Sequence, residues 1–261
     1  MNSKTANYGI DGPVFVFNTF LLGCFLFFGG LAITLRFHHS TTYEILAALA
    51  VGAGAICFWV GATILWGSLV GKLHLRDKIF ENIRLRGDEK ILGVGCGHGL
   101  LLVAAAKQLD KGGKTFGVDI WKSADQAGNS PHATRRNAEI EGVAERLEIT
   151  TADARRLPFA DATFDLIGSS WVLHNIIRPK ERKKALAEIV RVLKPGGTVL
   201  IIDVWLGYEY AAFFRRAGLE NVTVSRPYFL FFAPTFIVRA TKKQLSVNSQ
   251  QLSEAAFSDN C

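Results

Sequence analysis

The sequence predicts an α/β fold: a doubly wound, mostly parallel seven-stranded sheet with an antiparallel edge strand, preceded by two transmembrane helices. Three observations lead there. Two long uncharged apolar runs fill most of the first 71 residues, short β-branched segments alternate with helical ones from residue 89 onward, and a cluster of glycines joins the first of those strands to the first helix.

A length of 261 residues accommodates one α/β domain plus an appendage. The mean hydropathy of +0.20 and the 49% share of hydrophobic residues are high for a water-soluble chain. The excess is concentrated near the N-terminus, so it points to membrane segments and not to an unusually apolar core. A formal net charge of +7 fits either nucleic acid or anionic lipid. The apolar runs favour lipid. The polar segment 127–137 lacks the basic and aromatic interleaving of single-strand binders, so no nucleic-acid partner is expected. Cys24, Cys57, Cys96 and Cys261 form no CxxC and no metal-ligand spacing. They read as free thiols in a reducing compartment, with no metal site.

From Gly12 to Leu35 there are 24 residues without a charge, and from Ile45 to Gly71 there are 27 more. About 20 apolar residues suffice to span the hydrocarbon of a bilayer. Both runs are apolar all round, whereas a globular helix shows a polar face. Gly52, Gly54 and Gly61 suit close helix packing in lipid, and Trp59 with Trp66 suits an interfacial belt. Lys72, Arg76, Lys78, Arg84 and Arg86 follow the second run directly. The positive-inside rule then places the C-terminal domain in the cytoplasm, with an even number of crossings. A signal peptide is disfavoured, because the first run is too long for its apolar region and lacks a basic leader. The expected organisation is therefore a two-helix anchor (1–71), a juxtamembrane basic linker helix (72–88) that either lies at the interface or simply connects, an α/β domain (89–241) and a disordered Ser/Gln/Asn-rich tail (242–261).

Within the domain, strands are expected at 90–95, 113–120, 146–153, 164–173, 197–205, 221–226 and 235–241. Helices are expected after residue 97 and at 132–142, 180–193 and 208–219, the last ended by Gly218 as a C-cap. The final two strands, joined by a short aromatic loop, read as a hairpin, which makes one edge strand antiparallel. In such sheets ligands bind beyond the carboxyl ends of the strands. The informative residues cluster there. Gly93-Val94-Gly95-Cys96-Gly97-His98-Gly99 joins strand one to its helix with the spacing G-x-G-x-G. A dinucleotide fingerprint needs G-x-G-x-x-G, and Leu100 stands where its last glycine belongs, so a nicotinamide oxidoreductase is disfavoured. Asp119 ends strand two, where a carboxylate can accept from both ribose hydroxyls, with Ile120 beside it. Asp153 follows strand three, where a carboxylate with apolar neighbours can hold an adenine, although taken alone it reads equally as a helix cap.

GVGCGHG, GVDI, ADARRLPFADATFDLI and EIVRVLKPGGTVLIID resemble the successive motifs of the class I S-adenosylmethionine-dependent methyltransferases, with a Rossmann-like fold. The branch most resembled includes quinone-biosynthesis C-methyltransferases, and the likeness covers roughly residues 88–241. It implies that S-adenosyl-L-methionine is the cofactor. It also implies that Gly95, Gly97 and Gly99, with Gly93 and Cys96, surround the methionine portion, that Asp119 and Ile120 hold the ribose, and that Asp153 and Ala154 contact the adenine. One departure stands out. Gly93 occupies a position where the family usually has an Asp or Glu that fixes the loop and the methionine amino group. A methyltransferase-like binding module without turnover is the alternative that follows from it.

Methyl transfer asks the protein chiefly to align a nucleophile. If the acceptor must lose a proton, His174 at the end of strand four and Asp203 at the end of strand five are the catalytic candidates, with Asn175 and Trp205 beside them. His174 suits a base because imidazole titrates near neutrality; a loop-bracing role for it is equally open. His98 reads as structural. The aromatic loop 226–234 fits lipid contact, a roof over an apolar pocket, or core packing. The expected acceptor is a small, apolar or membrane-associated molecule, quinone-like, isoprenoid or phospholipid-like. The oligomeric state is not legible.

Overall fold

The computed structural model describes residues 5–37, 39–81, 83–229 and 233–244. The expected tail from 245 onward, Cys261, and Leu230, Phe231 and Phe232 of the aromatic loop lie outside the described residues. Two helices lead the chain: α1 (Pro13–Phe37) and α2 (Thr41–Trp66). Each is long and apolar enough to cross a membrane, and both leave most of their surface uncovered. At about 1.5 Å per residue, each exceeds the roughly 30 Å of a hydrocarbon core. They pack on each other through glycines. A Cβ on Gly30 would lie 2.8 Å from Ala47 O, and one on Gly54 would lie 2.9 Å from Gly23 O. Gly61 meets Phe20 and Thr19 in the same way, but Gly52 faces open space. Two of the three glycines singled out in the sequence therefore serve the contact, and Gly23 and Gly30 supply its other side.

The chain does not leave α2 through a flexible linker. A wide π-type turn, Gly67–Gly71, passes directly into α3 (Lys72–Glu81). The basic linker helix expected over 72–88 is shorter than that: it ends at Glu81. Its apolar face is also taken by protein, since Leu75, Ile79 and Phe80 pack with Ala105 and Leu109.

The sheet has the order β3-β2-β1-β4-β5-β7-β6, from β1 (Lys90–Val94), β2 (Lys114–Asp119), β3 (Leu147–Thr151), β4 (Phe164–Ser170), β5 (Leu193–Val204), β6 (Leu219–Val224) and β7 (Thr235–Lys242). The first five strands run parallel, and β7 is antiparallel to both β5 and β6. The antiparallel strand thus lies one place in from the edge, not at it. β6 continues from a crossover helix and keeps the parallel direction at the edge, and the hairpin return inserts β7 beside β5. Helices α4 (Leu100–Ala106), α5 (Pro131–Ile140), α6 (Pro179–Val192) and α7 (Gly207–Arg216) flank the sheet. Local chemistry sets their ends: Ser130 Oγ caps α5 by accepting from Ala133 N at 3.2 Å, with Pro131 next. Gly218, at φ +79°, lies just beyond the end of α7. Strand four stops at Ser170, three residues short of expectation, because Trp171 turns into the left-handed region (φ +52°) and Leu173–Asn175 form a 3₁₀ turn.

The main core lies on one side of the sheet, where Leu186, Ile189, Tyr210 and Phe214 from α6 and α7 cover Leu92, Ile167, Ile201 and Val238. All eight are almost wholly removed from water. Such burial is worth roughly 1.5–3 kcal/mol per large side chain, which makes the platform under the strand ends rigid.

Candidate functional site

The carboxyl ends of β1, β2 and β4 open into one cavity of about 510 Å³. It gathers residues that are far apart in sequence: Gly93 at the end of β1 with Gly95, Cys96 and Gly97 from the glycine loop, Asp119 and Ile120 at the end of β2, Asp153 and Ala154 after β3, and Ser169 to Val172 across the end of β4. Gly99 stands behind this wall. It caps α4 at φ +85°, and a Cβ there would press 2.9 Å from Thr134 Cγ2, so it serves helix packing.

The glycine loop is held by β2. Gly95 N and Cys96 N both donate to Val118 O, at 2.8 and 3.0 Å. Gly97 N donates to Asp119 Oδ2 at 2.8 Å, and His98 N to Gln126 Oε1 at 2.9 Å. Gly99 N donates to Cys96 O. Every amide from 95 to 99 is therefore spent inside the protein. A pyrophosphate cradle needs such amides free, so the geometry agrees with the spacing in disfavouring a dinucleotide. Gly95 (φ +67°) passes so close to Val172 that a Cβ would overlap its side chain. Glycine is required there by both conformation and space.

Asp119 is buried. Besides Gly97 N, it accepts from Trp121 N at 2.6 Å and from Asn129 Nδ2 at 3.4 Å through Oδ1. It is a clamp on the loop as well as a wall of the cavity. Asp153 is gripped by Arg155, whose Nε and Nη2 both donate to it, and this guanidinium holds its carboxyl below the ordinary range. At 93 the position is taken up by a neighbour: a Cβ there would lie 2.7 Å from Leu102 Cδ2, so an acid would require Leu102 to shift. Leu102 fills that space.

Four buried polar atoms have no partner among the described residues: His98 Nε2, Asn129 Oδ1, Ser169 Oγ and Ser170 Oγ. All four belong to residues that line this cavity. Orphaned groups of this kind are costly, and they gather where a polar ligand completes them. A nucleoside with an amino-acid end supplies donors and acceptors of that kind, so the cavity fits S-adenosylmethionine.

His174 and Asp203 are brought together just outside the wall. His174 Nδ1 donates to Asp203 Oδ1 at 2.5 Å, and His174 N donates to Oδ2 at 3.0 Å. Tyr210 hydroxyl and Val204 N add two more donors, each at 2.9 Å. Burial lowers the imidazole's pKa, but the hydrogen bond and charge of Asp203 outweigh it, so the net direction is upward from 6.5. Burial, with the charge of Asp203, drives the Tyr210 phenol far above its usual range, keeping it a donor. The next residues, Asn175 to Arg178, reach the cavity, and Ile176 O is fixed by Arg182 Nη1 at 2.7 Å. Arg182, nearly buried, also holds Glu209 with two nitrogens.

The largest surprise is the N-terminal strap. Residues 7–12 cross the glycine loop before entering α1. Asn7 O accepts from His98 Nδ1 at 2.9 Å and from Asn137 Nδ2 at 2.8 Å. Ile10 O accepts from Ala127 N, and Asp11 pairs with Gln126 as an antiparallel bridge. Lys72, at the start of α3, is almost completely buried, and its ammonium donates to Tyr8 O, Gly9 O and Asp11 Oδ2 at 2.7, 2.7 and 2.9 Å. Asp11 and Lys72 both line the cavity. The sequence reading missed this pin entirely, because a lone Lys after an apolar run looks like a flanking membrane charge. It also missed Trp171, which packs against Val16 and Ile64 at the base of α1 and α2.

Residues 92–201 match the family described as "Methyltransferase domain". The ubiquinone/menaquinone biosynthesis C-methyltransferase UbiE of Roseobacter denitrificans is 36% identical over 128 residues, covering 49% of this chain and 47% of that protein. The chain spans about half the length of the curated relatives it matches. Among solved structures, the cyclase SpnF superposes with a TM-score of 0.54 at 19% identity, covering 66% of this chain and 82% of that one. A SAM-dependent methyltransferase from Aquifex aeolicus gives 0.51 at 21%, covering 65% and 90%. At such identities the superpositions speak for the fold alone. With the family match added to the ordered motifs and the sheet they sit on, this chain carries a class I S-adenosylmethionine-dependent methyltransferase domain.

Proposed function

We propose that this protein methylates a small, apolar, membrane-associated acceptor, using S-adenosylmethionine at a site on the cytoplasmic face of a bilayer. The cavity at the strand ends carries this reading, because Asp119 closes the glycine loop there and unpaired polar atoms await a ligand. The cofactor supplies an activated methyl group on a cationic sulfur. Asp119 and Ile120 would hold the ribose, Asp153 and Ala154 the adenine, and the loop from Gly95 to Gly97 the methionine portion. His174, braced by Asp203 and Tyr210, would take a proton from the acceptor at its remaining nitrogen, Nε2.

The membrane part of the proposal rests on two apolar helices whose base touches the loop after β4 through Trp171. Ile177, 85% exposed, lines the cavity mouth, and Trp205, Tyr208 and Phe229 are exposed too, the first two just beyond the end of β5. Exposed apolar side chains beside a membrane anchor suit an acceptor dissolved in lipid. The relative from Roseobacter carries a quinone-methylating name, which agrees with an apolar ring as acceptor. The test is incubation of the full chain in vesicles with labelled methyl donor and total membrane lipid, followed by identification of the labelled product. Transfer only to water-soluble extracts would overturn the acceptor class.

Leu102 in the place of the usual acid favours one other reading, a module that binds the cofactor without turnover. Cofactor binding without release of S-adenosylhomocysteine across all extracts would establish it.

A further inference from the structure

The methionine end of S-adenosylmethionine carries an α-ammonium group that needs an acceptor in any closed site. Gly93 has no side chain to offer one, and Leu102 occupies the space beside it. The other acids on the cavity wall are largely committed. Asp119 accepts from Gly97, Trp121 and Asn129. Asp153 is chelated by Arg155, and Glu181 is paired with Arg155 and Lys184. Asp125 is exposed, and its charge acts on His174.

Asp11 is different. Its Oδ1 accepts from Gln126 Nε2 at 3.0 Å, and the other end of the same amide, Oε1, accepts from His98 N. Gln126 Oε1 also lies so near Gly97 that a Cβ there would come within 2.5 Å. One side chain therefore separates Asp11 from the glycine loop. Its Oδ2 meets Lys72, whose three N–H donors are all used, on Asp11 and two strap carbonyls. A carboxylate offers about four acceptor positions, so each oxygen of Asp11 keeps capacity on a wall of the cavity.

We propose that Asp11, delivered by the strap ahead of the first apolar helix, receives the α-ammonium of the cofactor in place of the acid missing at position 93. The inference rests on the cofactor reading above. On it, the membrane anchor and the cofactor site are one structure: Lys72 at the foot of the second span holds Asp11 in position.

The experiment is a cycle between residue and ligand, using the full chain in lipid nanodiscs. Binding of S-adenosylhomocysteine is compared with that of its analogue lacking only the α-amino group. In the unaltered protein, removing the amino group weakens binding by on the order of tenfold to a hundredfold, as expected for a charge-assisted hydrogen bond. In Asp11→Asn, which keeps the side-chain shape, the two ligands bind with nearly equal affinity. Asp11→Glu, which keeps the charge facing Lys72, retains the preference and covers the case in which Asp11→Asn does not fold. Equal weakening of both ligands in Asp11→Asn makes the residue a strap brace only and overturns the proposal. So does the same coupling appearing instead in Asp125→Asn. If the unaltered protein binds neither ligand, nor S-adenosylmethionine itself, the cofactor reading fails and this inference with it. That outcome is separate from one in which both ligands bind without discrimination, which defeats Asp11 alone.

Discussion

Asp203 receives four donors within 3.0 Å, and His174 supplies two of them, through its ring nitrogen and its own amide. Orientation and charge state of the imidazole are thus set by one buried carboxylate. Nδ1 is committed to Asp203, leaving Nε2 for an acceptor.

The pH dependence follows from the sign of that coupling. The pKa of His174 is raised above 6.5, so the neutral base appears only as pH climbs through the raised value, and the rate should climb with it. The stability gained from the charged pair runs the other way: it is complete below about 6.5 and is lost as pH rises through the folded pKa. Asp203→Asn should move the rising limb of kcat to lower pH and reduce its plateau by roughly 10²-fold or more. A limb that stays in place in that variant would remove His174 from the proton path.

Asp119→Ala should weaken cofactor binding by about 1–3 kcal/mol, since Gly97 N and Trp121 N lose a buried acceptor. Titration calorimetry reads this directly. Unchanged affinity would separate Asp119 from the site.

Gly30→Leu should loosen the pairing of α1 with α2 by about 1–3 kcal/mol, because even a Cβ meets Ala47 O at 2.8 Å. Gly52→Leu, facing open space, should be neutral. Thermal unfolding in detergent of the pair of variants tests the contact, and equal effects would contradict it.

Trp171→Ala should cost roughly 2 kcal/mol, as a half-buried aromatic is withdrawn from Val16 and Ile64. Hydrogen exchange should rise in the loop after β4 and at the base of both apolar helices together. Exchange confined to the loop would show that the two are not coupled.

The sheet was legible because alternation of β-branched and helical segments reports local periodicity, and the glycine loop after β1 because its glycines mark positions that other residues do not fit. His174 and Asp203 could be named from their place at strand ends, although neither lines the cavity. What sequence could not convey was long-range. Asp11 and Lys72 are 61 positions apart, and neither carries a local pattern. Trp121, Trp171 and Trp205 all adopt positive φ just beyond β2, β4 and β5, a conformation that propensity disfavours for bulky side chains. Only the packed strand ends impose it. The place of β7 inside the sheet depended on which edge the hairpin joined, a choice that pattern alone leaves open.

The unbroken helical path from Thr41 to Glu81 has a mechanical consequence. Flexible tethers let a globular head tumble above its membrane, averaging every approach angle. On the membrane reading proposed above, the rod that would enter the bilayer is the same rod whose α3 end packs on α4, so the head would be held at one tilt. On the same reading the depth from which an acceptor is drawn would be a fixed dimension of the molecule, and inserting even two residues into the Gly67–Gly71 turn would rotate the mouth relative to the two apolar helices by about half a helical turn.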